Sequence, residues 1–362
     1  MDSFFYKTEC GVNKDGGISR NALCPSDKMS PYYSENFDSQ TFWYDAIHDD
    51  NLIKLVCPKL RNFEKELKNG AFFLDDVRVD KFQLKRFRRT DILTIKTSSF
   101  VEKIKFESIS LCLSSGLSRT NFSIADNKNC AMVINKNNNL EWIEYFAKWH
   151  VKFHSLQCLF ILDNNSSKYA NEDVQSALKN SGLCTLVILN LPFNFGPANL
   201  GRPYHNRELF LQTSAYNILK FRFLKNARAV LCCDIDELVL PSKINIFDAT
   251  IKSKYGFLRF LGKYRYHNFG STQKISHNSS FYKLGNKNSP KKWCIDPKGK
   301  LGNHSWTTHS IENLFFERRF FAKEFSFIHC VNVTTGWKGE KRQKPSDQLV
   351  ADNFTKDLLD SV

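Results

Sequence analysis

The chain has 362 residues, of which 42% are hydrophobic and 25% charged, and its formal net charge is +15. This is a globular composition with room for one large domain and a smaller appendage, and no segment approaches the roughly 18 apolar residues that a membrane-spanning helix needs. The N-terminus lacks a basic segment and a cleavage site, so we expect a cytoplasmic protein. The positive charge predicts an anionic partner: nucleic acid, an acidic membrane surface or phosphorylated substrates.

Cysteines and basic residues are abundant, but neither forms a recognisable motif. The eleven cysteines show no zinc-type spacing, and we interpret most of them as small buried residues without disulfides. Basic residues cluster at 81–89, 291–292, 318–319 and 338–344. The first cluster interleaves aromatic and cationic residues but contains no known nucleic-acid motif, so a solvated surface is the favoured interpretation of each cluster.

The N-terminal part shows strand patterns after a polar beginning. Residues 1–40 are rich in Gly, Ser, Asn and Pro and predict a loosely structured lead-in. Apolar and polar residues alternate at 71–79, 91–97 and 106–113, as in half-buried strands. We therefore expect residues 1–125 to form a small β-rich module of unknown role.

From residue 126, predicted strands and helices alternate. The strands are expected at 130–134, 156–162, 183–189 and 229–233, and the helices at 140–154, 172–180 and 206–221. Strands separated by helices of this length predict βαβ units and a mostly parallel sheet flanked by helices. We therefore predict an α/β domain at 126–337, followed by a polar, basic tail at 338–362.

The segment Cys233-Asp-Ile-Asp-Glu-Leu238 places three acids directly after an apolar run. Five small or branched residues predict a strand buried on both faces, and open α/β sheets bind ligands beyond the carboxyl ends of such strands. Asp234 and Asp236 are expected to project to the same side, where their repulsion favours a divalent cation, Mg²⁺ or Mn²⁺. The alternative is a solvated turn at a strand end.

Two further segments have functional and structural interpretations of similar weight. Asp163 follows the second strand and is suited to accept hydrogen bonds from a base or ribose, although an Asx turn also explains it. The aromatic loop at 192–204 is either a lid over substrate or a cap on the core.

A lysine and several histidines follow downstream. Lys292 offers a point charge for phosphate, and a histidine could complete a metal site or hold a leaving group. His304, His309 and His329 compete for that role, and the residues alone do not decide between them.

Several of these segments occur in an order that resembles glycosyltransferase family 92 and related family 2-like enzymes of bacterial type. They are Leu140-Glu-Trp-Ile-Glu-Tyr145, Phe160-Ile-Leu-Asp-Asn-Asn-Ser-Ser167, Cys233-Asp-Ile-Asp-Glu-Leu238, Lys292-Trp-Cys-Ile-Asp-Pro297 and His309. The resemblance covers about residues 130–335 and implies a GT-A (Rossmann-like) fold. Three positions depart from the family pattern: Phe146 stands where a histidine is common, Leu238 replaces Phe, and Cys330 replaces Tyr.

The resemblance also implies an activity and roles for individual residues. The activity is transfer of a sugar from a nucleotide-diphosphate donor to a hydroxyl of a glycan, such as a surface polysaccharide or lipopolysaccharide. Asp163 would contact the nucleoside, and Asp234 and Asp236 would hold a Mn²⁺ or Mg²⁺ ion at the donor phosphates. Lys292 would lie near the diphosphate and His309 near the metal or donor, while His329 is the rival metal ligand.

The remaining expectations concern the catalytic base and the partners. Glu237 is the nearest candidate base, with Asp296 and Glu312 as alternatives. The partners expected are a nucleotide-sugar donor, a glycan or lipid-linked glycan acceptor and the anionic inner face of the cell membrane, but no nucleic acid. Two other functions stay open: a non-catalytic carbohydrate- or nucleic-acid-binding protein, and a nucleotidyltransferase that uses the same acids.

Overall fold

The computed structural model describes residues 1–13, 17–198, 204, 206–268, 274–285, 287–336 and 349–362. The strands up to residue 125 are β1 (Asp2–Tyr6), β2 (Gly11–Val12), β3 (Thr41–Trp43), β4 (Asp45–Asp49), β5 (Leu52–Cys57), β6 (Ala71–Leu74), β7 (Val77–Val79), β8 (Phe82–Arg86), β9 (Asp91–Lys96), β10 (Lys103–Glu107), β11 (Cys112–Gly116) and β12 (Ser118–Arg119). The later strands are β13 (Asn129–Asn135), β14 (Cys158–Asp163), β15 (Thr185–Asn190), β16 (Ala229–Cys232), β17 (Glu237–Val239), β18 (Phe257–Arg265), β19 (Tyr282–Lys283), β20 (Asn288–Ile295), β21 (Phe321–Cys330) and β22 (Val350–Ala351).

Seven α-helices accompany these strands in the described ranges. They are α1 (Pro31–Asn36), α2 (Phe63–Asn69), α3 (Leu140–His154), α4 (Asn171–Leu178), α5 (Phe210–Leu219), α6 (Ile246–Lys252) and α7 (Asn353–Asp360). A π-helical turn, Lys220–Leu224, extends α5. None of the helices within the described ranges is long and apolar enough to cross a membrane.

A nine-stranded sheet forms the centre of the molecule, in the order β1-β15-β14-β13-β16-β20-β18-β21-β17. The first five strands of that order are parallel to one another. Beyond β16 the sheet is mixed: β20 is antiparallel to β16 and β18, β21 is parallel to β18, and β17 is antiparallel to β21. The predicted α/β class, with a large sheet flanked by helices and a β-rich N-terminal region, is confirmed.

Both faces of the parallel half are buried, as the apolar strand sequences predict. Along β13, Cys130, Met132 and Ile134 belong to one core cluster, and Ala131 and Val133 belong to another. Helix α3 covers the second face, because its apolar residues recur every three to four positions and pack as one stripe. Helix α5 and side chains of the N-terminal region cover the first face.

The N-terminal region differs in two ways from the sequence expectation. Strand β1 lies in what was expected to be a loose lead-in, and it pairs with β15 at the edge of the central sheet. The single strand predicted at 71–79 is the hairpin β6–β7, because Asp75 and Asp76 have positive φ and turn the chain. The pattern at 106–113 likewise spans the turn between β10 and β11.

The remaining strands of the N-terminal region form two antiparallel sheets and short pairings. Their orders are β11-β10-β6-β7 and β12-β4-β5-β9-β8, with β12 parallel to β4. A separate core that includes Phe42, Trp43 and Phe106 lies within them. The proposed boundaries at 1–125, 126–337 and 338–362 stay predictions.

The expected tail and the expected lid are only partly described. Residues 338–348 lie outside the described residues, whereas β22 pairs with β19 and α7 packs on the second core cluster through Leu359. Of the loop at 192–204, residues 199–203 also lie outside the described residues. Its described part includes Phe193, whose ring contacts that of Tyr44.

Candidate active site

Acidic and polar side chains gather at the edge of the central sheet where the parallel strands end. Asp163 is the last residue of β14, and Asp234 follows the last residue of β16 by two positions. Strand β20 runs the other way and pairs with β16 through its second half, with Trp293 paired to Cys232, so its first half extends beyond the end of β16. The sheet therefore brings residues 288–292 to the acids that follow β16.

The acids at 234–237 form a tight turn rather than an extension of the strand. The backbone N–H of Asp234 donates to Glu237 Oε2 at 2.8 Å, and the N–H of Glu237 donates to the carbonyl of Asp234 at 3.0 Å. Glu237 then begins β17, on the far edge of the sheet, opposite His329 of β21. The chain thus passes from β16 to β17, and β20, β18 and β21 lie between these two strands in the sheet. For this reason the acids meet residues from β20 and β21.

Lys292 is the cation of this turn, and its side chain is completely buried. Its Nζ lies 2.5 Å from Asp234 Oδ2 and 2.8 Å from Glu237 Oε2. Burial by itself would lower the pKa of Lys292, but the two carboxylates outweigh it and raise the pKa well above its ordinary value. The lysine is therefore a fixed positive charge between the first and third acids.

His329 joins the second and third acids. Its Nε2 lies 3.2 Å from Asp236 Oδ2, and its Nδ1 lies 3.5 Å from Glu237 Oε1 and 2.8 Å from Ser289 Oγ. Among the described residues this is the one group of three or more potential metal ligands, with one ligand atom from each residue within 4.8 Å of the others. Two carboxylates and an imidazole fit Mn²⁺, with Mg²⁺ as the harder alternative.

Glu237, the expected catalytic base, has both carboxylate oxygens close to other groups of the turn. Its exposed fraction is 2%. Burial raises the pKa of Glu237 to about 7; Lys292 opposes this shift, and Asp234 reinforces it. These contacts suit a residue that organises the cluster, and its role as a base stays a prediction.

His309, the expected metal or donor ligand, lies beside the cluster. Its Nδ1 is 3.0 Å from the carbonyl oxygen of Lys291, which can only accept, so Nδ1 carries the proton. The His309 side chain is exposed to solvent, and Lys292 is among the charges near it. His309 is absent from the Asp236–Glu237–His329 group, and its predicted metal role remains a prediction.

Asp163 lies two strands from β16 and is 8% exposed. Its Oδ1 accepts from Asn135 Nδ2 at 2.7 Å and from Ser166 Oγ at 2.6 Å, and its Oδ2 accepts from the backbone of Ser166 at 2.9 Å. The two hydrogen bonds from Ser166, three residues further on, are local contacts of a turn, so the turn interpretation explains part of the bonding of Asp163. Asp163 and Tyr169 also line a cavity of about 320 Å³, which leaves the predicted nucleoside contact open to test.

The alternative residues take local structural roles in the described contacts. Asp296 accepts from the backbone of Lys298, Glu312 accepts from the backbone of Arg88, and His304 Nδ1 is 2.8 Å from the carbonyl of Glu312. Phe146, where the family pattern often has a histidine, is fully buried. Leu238 and Cys330 are buried as well, so these departures from the family pattern are packing residues.

Ser289 and Tyr264 also belong to the site, although sequence reasoning did not select them. Ser289 contacts His329, and the ring of Tyr264 lies 5.1 Å from that of His329. Neither residue stands in a motif. The only available signal was the position of Ser289 three residues before Lys292.

No protein-family model and no curated protein matches the chain. Parts of it align with solved structures that include GalNAc-T7 with UDP, GalNAc and Mn²⁺, at a TM-score of 0.35 and 9% identity over 68% of this chain and 49% of that one. S. aureus TarS with UDP-GlcNAc aligns at a TM-score of 0.25 and 16% identity over 43% of this chain and 39% of that one. An active-site mutant of LgtC aligns at a TM-score of 0.28 and 15% identity over 49% of this chain and 59% of that one. The chain spans less than two thirds of the length of each of these proteins. Alignments at these TM-scores do not bear on the reaction, and membership of family 92 stays a prediction.

Proposed function

We propose that the chain is a nucleotide-sugar-dependent glycosyltransferase that works with a divalent cation. The observation that carries this proposal is the meeting of Asp234, Asp236 and Glu237 with Lys292 and His329 at the carboxyl edge of an α/β sheet. Such an edge is where open α/β sheets bind ligands, and this cluster joins anionic metal ligands to a buried cation. The order of the sequence motifs supports the same reaction.

In this proposal the residues of the cluster have two roles: some bind the cation, and a lysine supplies a permanent positive charge. Asp236, Glu237 and His329 hold the cation, and Asp234 shares its charge with Lys292. A bound Mn²⁺ or Mg²⁺ supplies positive charge where the nucleoside diphosphate departs. Lys292 adds a second, permanent charge, which is held in place before substrate binds and therefore needs no rearrangement during the reaction.

The donor has a natural orientation along the sheet edge. Asp163 at the end of β14 receives the nucleoside, and the acids after β16 receive the diphosphate, two strands or about 10 Å further along. The acceptor in this proposal is a hydroxyl of a glycan or lipid-linked glycan. We further propose that the protein meets an anionic membrane through exposed aromatic residues near 315–316.

The test is a screen of nucleotide sugars with and without Mn²⁺ on the intact chain and on Asp236→Asn. The intact chain should hydrolyse or transfer from at least one donor in a metal-dependent manner, and its melting temperature should rise with Mn²⁺. Asp236→Asn should lower this turnover by a factor of 100 or more and remove the stabilisation, because it removes a charged ligand. Asp80→Asn, which alters an exposed acid outside the site, should match the intact chain.

Other outcomes would contradict the proposal. Undiminished metal-dependent turnover in Asp236→Asn would remove the cluster from the reaction. Release of pyrophosphate instead of a nucleoside diphosphate would identify a nucleotidyltransferase. Glycan binding without any donor turnover would favour a non-catalytic carbohydrate-binding protein.

A further inference from the structure

A large open cavity lies beside the acidic cluster, on the side away from Asp163. Its volume is about 720 Å³, and its wall includes Ser289 and Tyr264. These two residues also contact His329, so the cavity and the cluster share a wall. A sugar attached to a diphosphate at the cluster would therefore have this cavity as its neighbour.

The position of the cavity along the sheet edge indicates which substrate it receives. Asp163 ends β14, the acids follow β16, and the cavity is lined by residues of β20 and β18, which come next in the sheet order. If the nucleoside lies at β14 and the diphosphate at β16, the transferred sugar and its acceptor must lie beyond β16. The cavity occupies that place.

Cations dominate the lining of the cavity. Among the described residues that line it, Arg88, Arg89, Arg259 and Lys291 outnumber the two acids, Glu312 and Glu317. Glu317 pairs with Arg259 at 2.8 Å and with Lys291 at 3.4 Å. Glu312 accepts hydrogen bonds from the backbone of Arg88, and no ion pair within the described ranges joins it to Arg88 or Arg89.

Contacts within the fold fix the position of Arg259 and of the hairpin that carries Arg88 and Arg89. Arg259 is 2% exposed and donates from its guanidinium to the carbonyl of His309 at 3.3 Å. Arg88 and Arg89 form the tip of the β8–β9 hairpin, which the backbone of Arg88 fastens to Glu312. The Nε of Arg89 is buried and donates no hydrogen bond to any described residue. Leaving such a donor unsatisfied is costly. The Arg89 side chain also lines the cavity, where an anion would pair with its guanidinium.

We propose that this cavity is the acceptor subsite and that it selects a sugar bearing a carboxylate or a phosphate. The assignment of the cavity to the acceptor rests on the proposed function, which sets the order of nucleoside, diphosphate and acceptor along the sheet. The anion preference follows from the lining alone. The N-terminal β-rich region thereby takes part in the site, because the β8–β9 hairpin supplies Arg88 and Arg89. Direct binding tests the subsite separately from turnover.

The experiment measures binding of three p-nitrophenyl sugars by calorimetry: the glucuronide, the 6-phosphoglucoside and the neutral glucoside. The intact chain should bind at least one charged sugar ten-fold or more tightly than the neutral one, and the charged sugar that gains identifies the anion. Arg89→Ala should reduce this preference about five- to ten-fold, and Arg89→Lys should restore part of it. Arg78→Gln, an exposed arginine of the same region, should leave it unchanged.

The outcomes separate this proposal from the proposed function. Equal binding of all three sugars, or a preference that survives both Arg89→Ala and Lys291→Gln, would overturn the anion subsite even if a donor is turned over. An anion preference that depends on Arg89 would uphold the subsite even if no donor is found. A preference that appears only for a uronic-acid nucleotide donor would assign the charge to the donor and overturn the acceptor assignment. Lys291→Gln also serves as the second variant should Arg89→Ala fail to fold.

Discussion

Lys292 shows how one residue couples the stability of this protein to its site. It is completely buried, and its Nζ contacts the carboxylates of Asp234 and Glu237. A buried ion pair adds little net stability, because desolvation offsets the attraction. Removing the lysine is different, because the carboxylate of Glu237 then stays buried without its cation.

We predict that Lys292→Met lowers the free energy of unfolding by about 3–5 kcal/mol. The methionine fills the same space, so the loss comes from two carboxylates that have lost their cation: Glu237, which is buried, and Asp234, which is partly exposed. Urea unfolding at neutral pH measures the change. Added Mn²⁺ should recover part of it, because a cation held by the neighbouring acids replaces some of the missing charge.

Lys291→Met is the matched control. Lys291 is the neighbour of Lys292 on β20, is half-buried and pairs with Glu317 at 3.4 Å. Such surface pairs contribute about 0–1 kcal/mol to stability. A similar loss in both variants would show that the effect belongs to the strand and not to the charge of Lys292.

At the scale of elements, α3 joins the two halves of the sheet through two buried histidines. The backbone N–H of Val239 in β17 donates to His150 Nε2 at 3.4 Å, and His154 Nε2 donates to the carbonyl of Val239 at 3.0 Å. Both rings are completely buried. Burial lowers the pKa of His150 to about 3 and that of His154 to about 4.

These shifts predict that stability falls as the pH is lowered from about 6.5 towards 4. In the unfolded chain the histidines gain protons near pH 6.5, whereas the folded protein keeps them neutral until about pH 4, so acid favours unfolding. Between pH 7 and pH 5 each histidine should remove about 1–2 kcal/mol. Urea midpoints across this range measure the slope.

His154→Gln isolates one of the two contributions. The variant should be less stable at pH 7, because the paired ring is lost, but its stability should depend less steeply on pH. A slope equal to that of the intact chain would mean that His154 does not titrate on unfolding.

The elements between residues 126 and 233 could be predicted because their determinants are local. The apolar period places α3 at Leu140–His154 as expected, and the apolar run before Asp234 becomes β16. The second half of the sheet depends on pairings between distant residues, such as Glu237 with His329, which leave no local signal. Asp234, Asp236 and Lys292 could therefore be selected from motifs, whereas Ser289 and the choice of His329 for the acid cluster needed the fold.

At the scale of the whole molecule, the net charge of +15 coincides with an exposed aromatic pair. Phe315 and Phe316 are 78% and 72% exposed, and Arg318 and Arg319 follow them. The guanidinium of Arg319 lies 4.8 Å from the ring centre of Phe316. Aromatic residues next to cations suit the interface of an anionic bilayer, where the rings enter the acyl boundary and the arginines meet the headgroups.

We predict that the protein binds vesicles of phosphatidylglycerol and phosphatidylcholine, and that Phe315→Ser with Phe316→Ser weakens this binding at least ten-fold. The reason is that two rings no longer leave water, which costs more than the roughly 1.4 kcal/mol that a ten-fold change requires. Co-sedimentation at low and high salt measures the effect. Phe354→Ser, which alters an exposed ring on α7, should bind like the intact chain. Equal binding to pure phosphatidylcholine would contradict the electrostatic part.

The pairing of β1 with β15 fixes an order of events during synthesis. Residues 2–6 leave the ribosome before their partners at 185–189, which appear about 180 residues later, and at about 5–20 residues per second this is a delay of roughly 10–40 s. During that time the aromatic segment Phe4-Phe5-Tyr6 has no strand to join. This edge of the central sheet therefore forms only after β15 has been synthesised, from a strand that was made about 180 residues earlier.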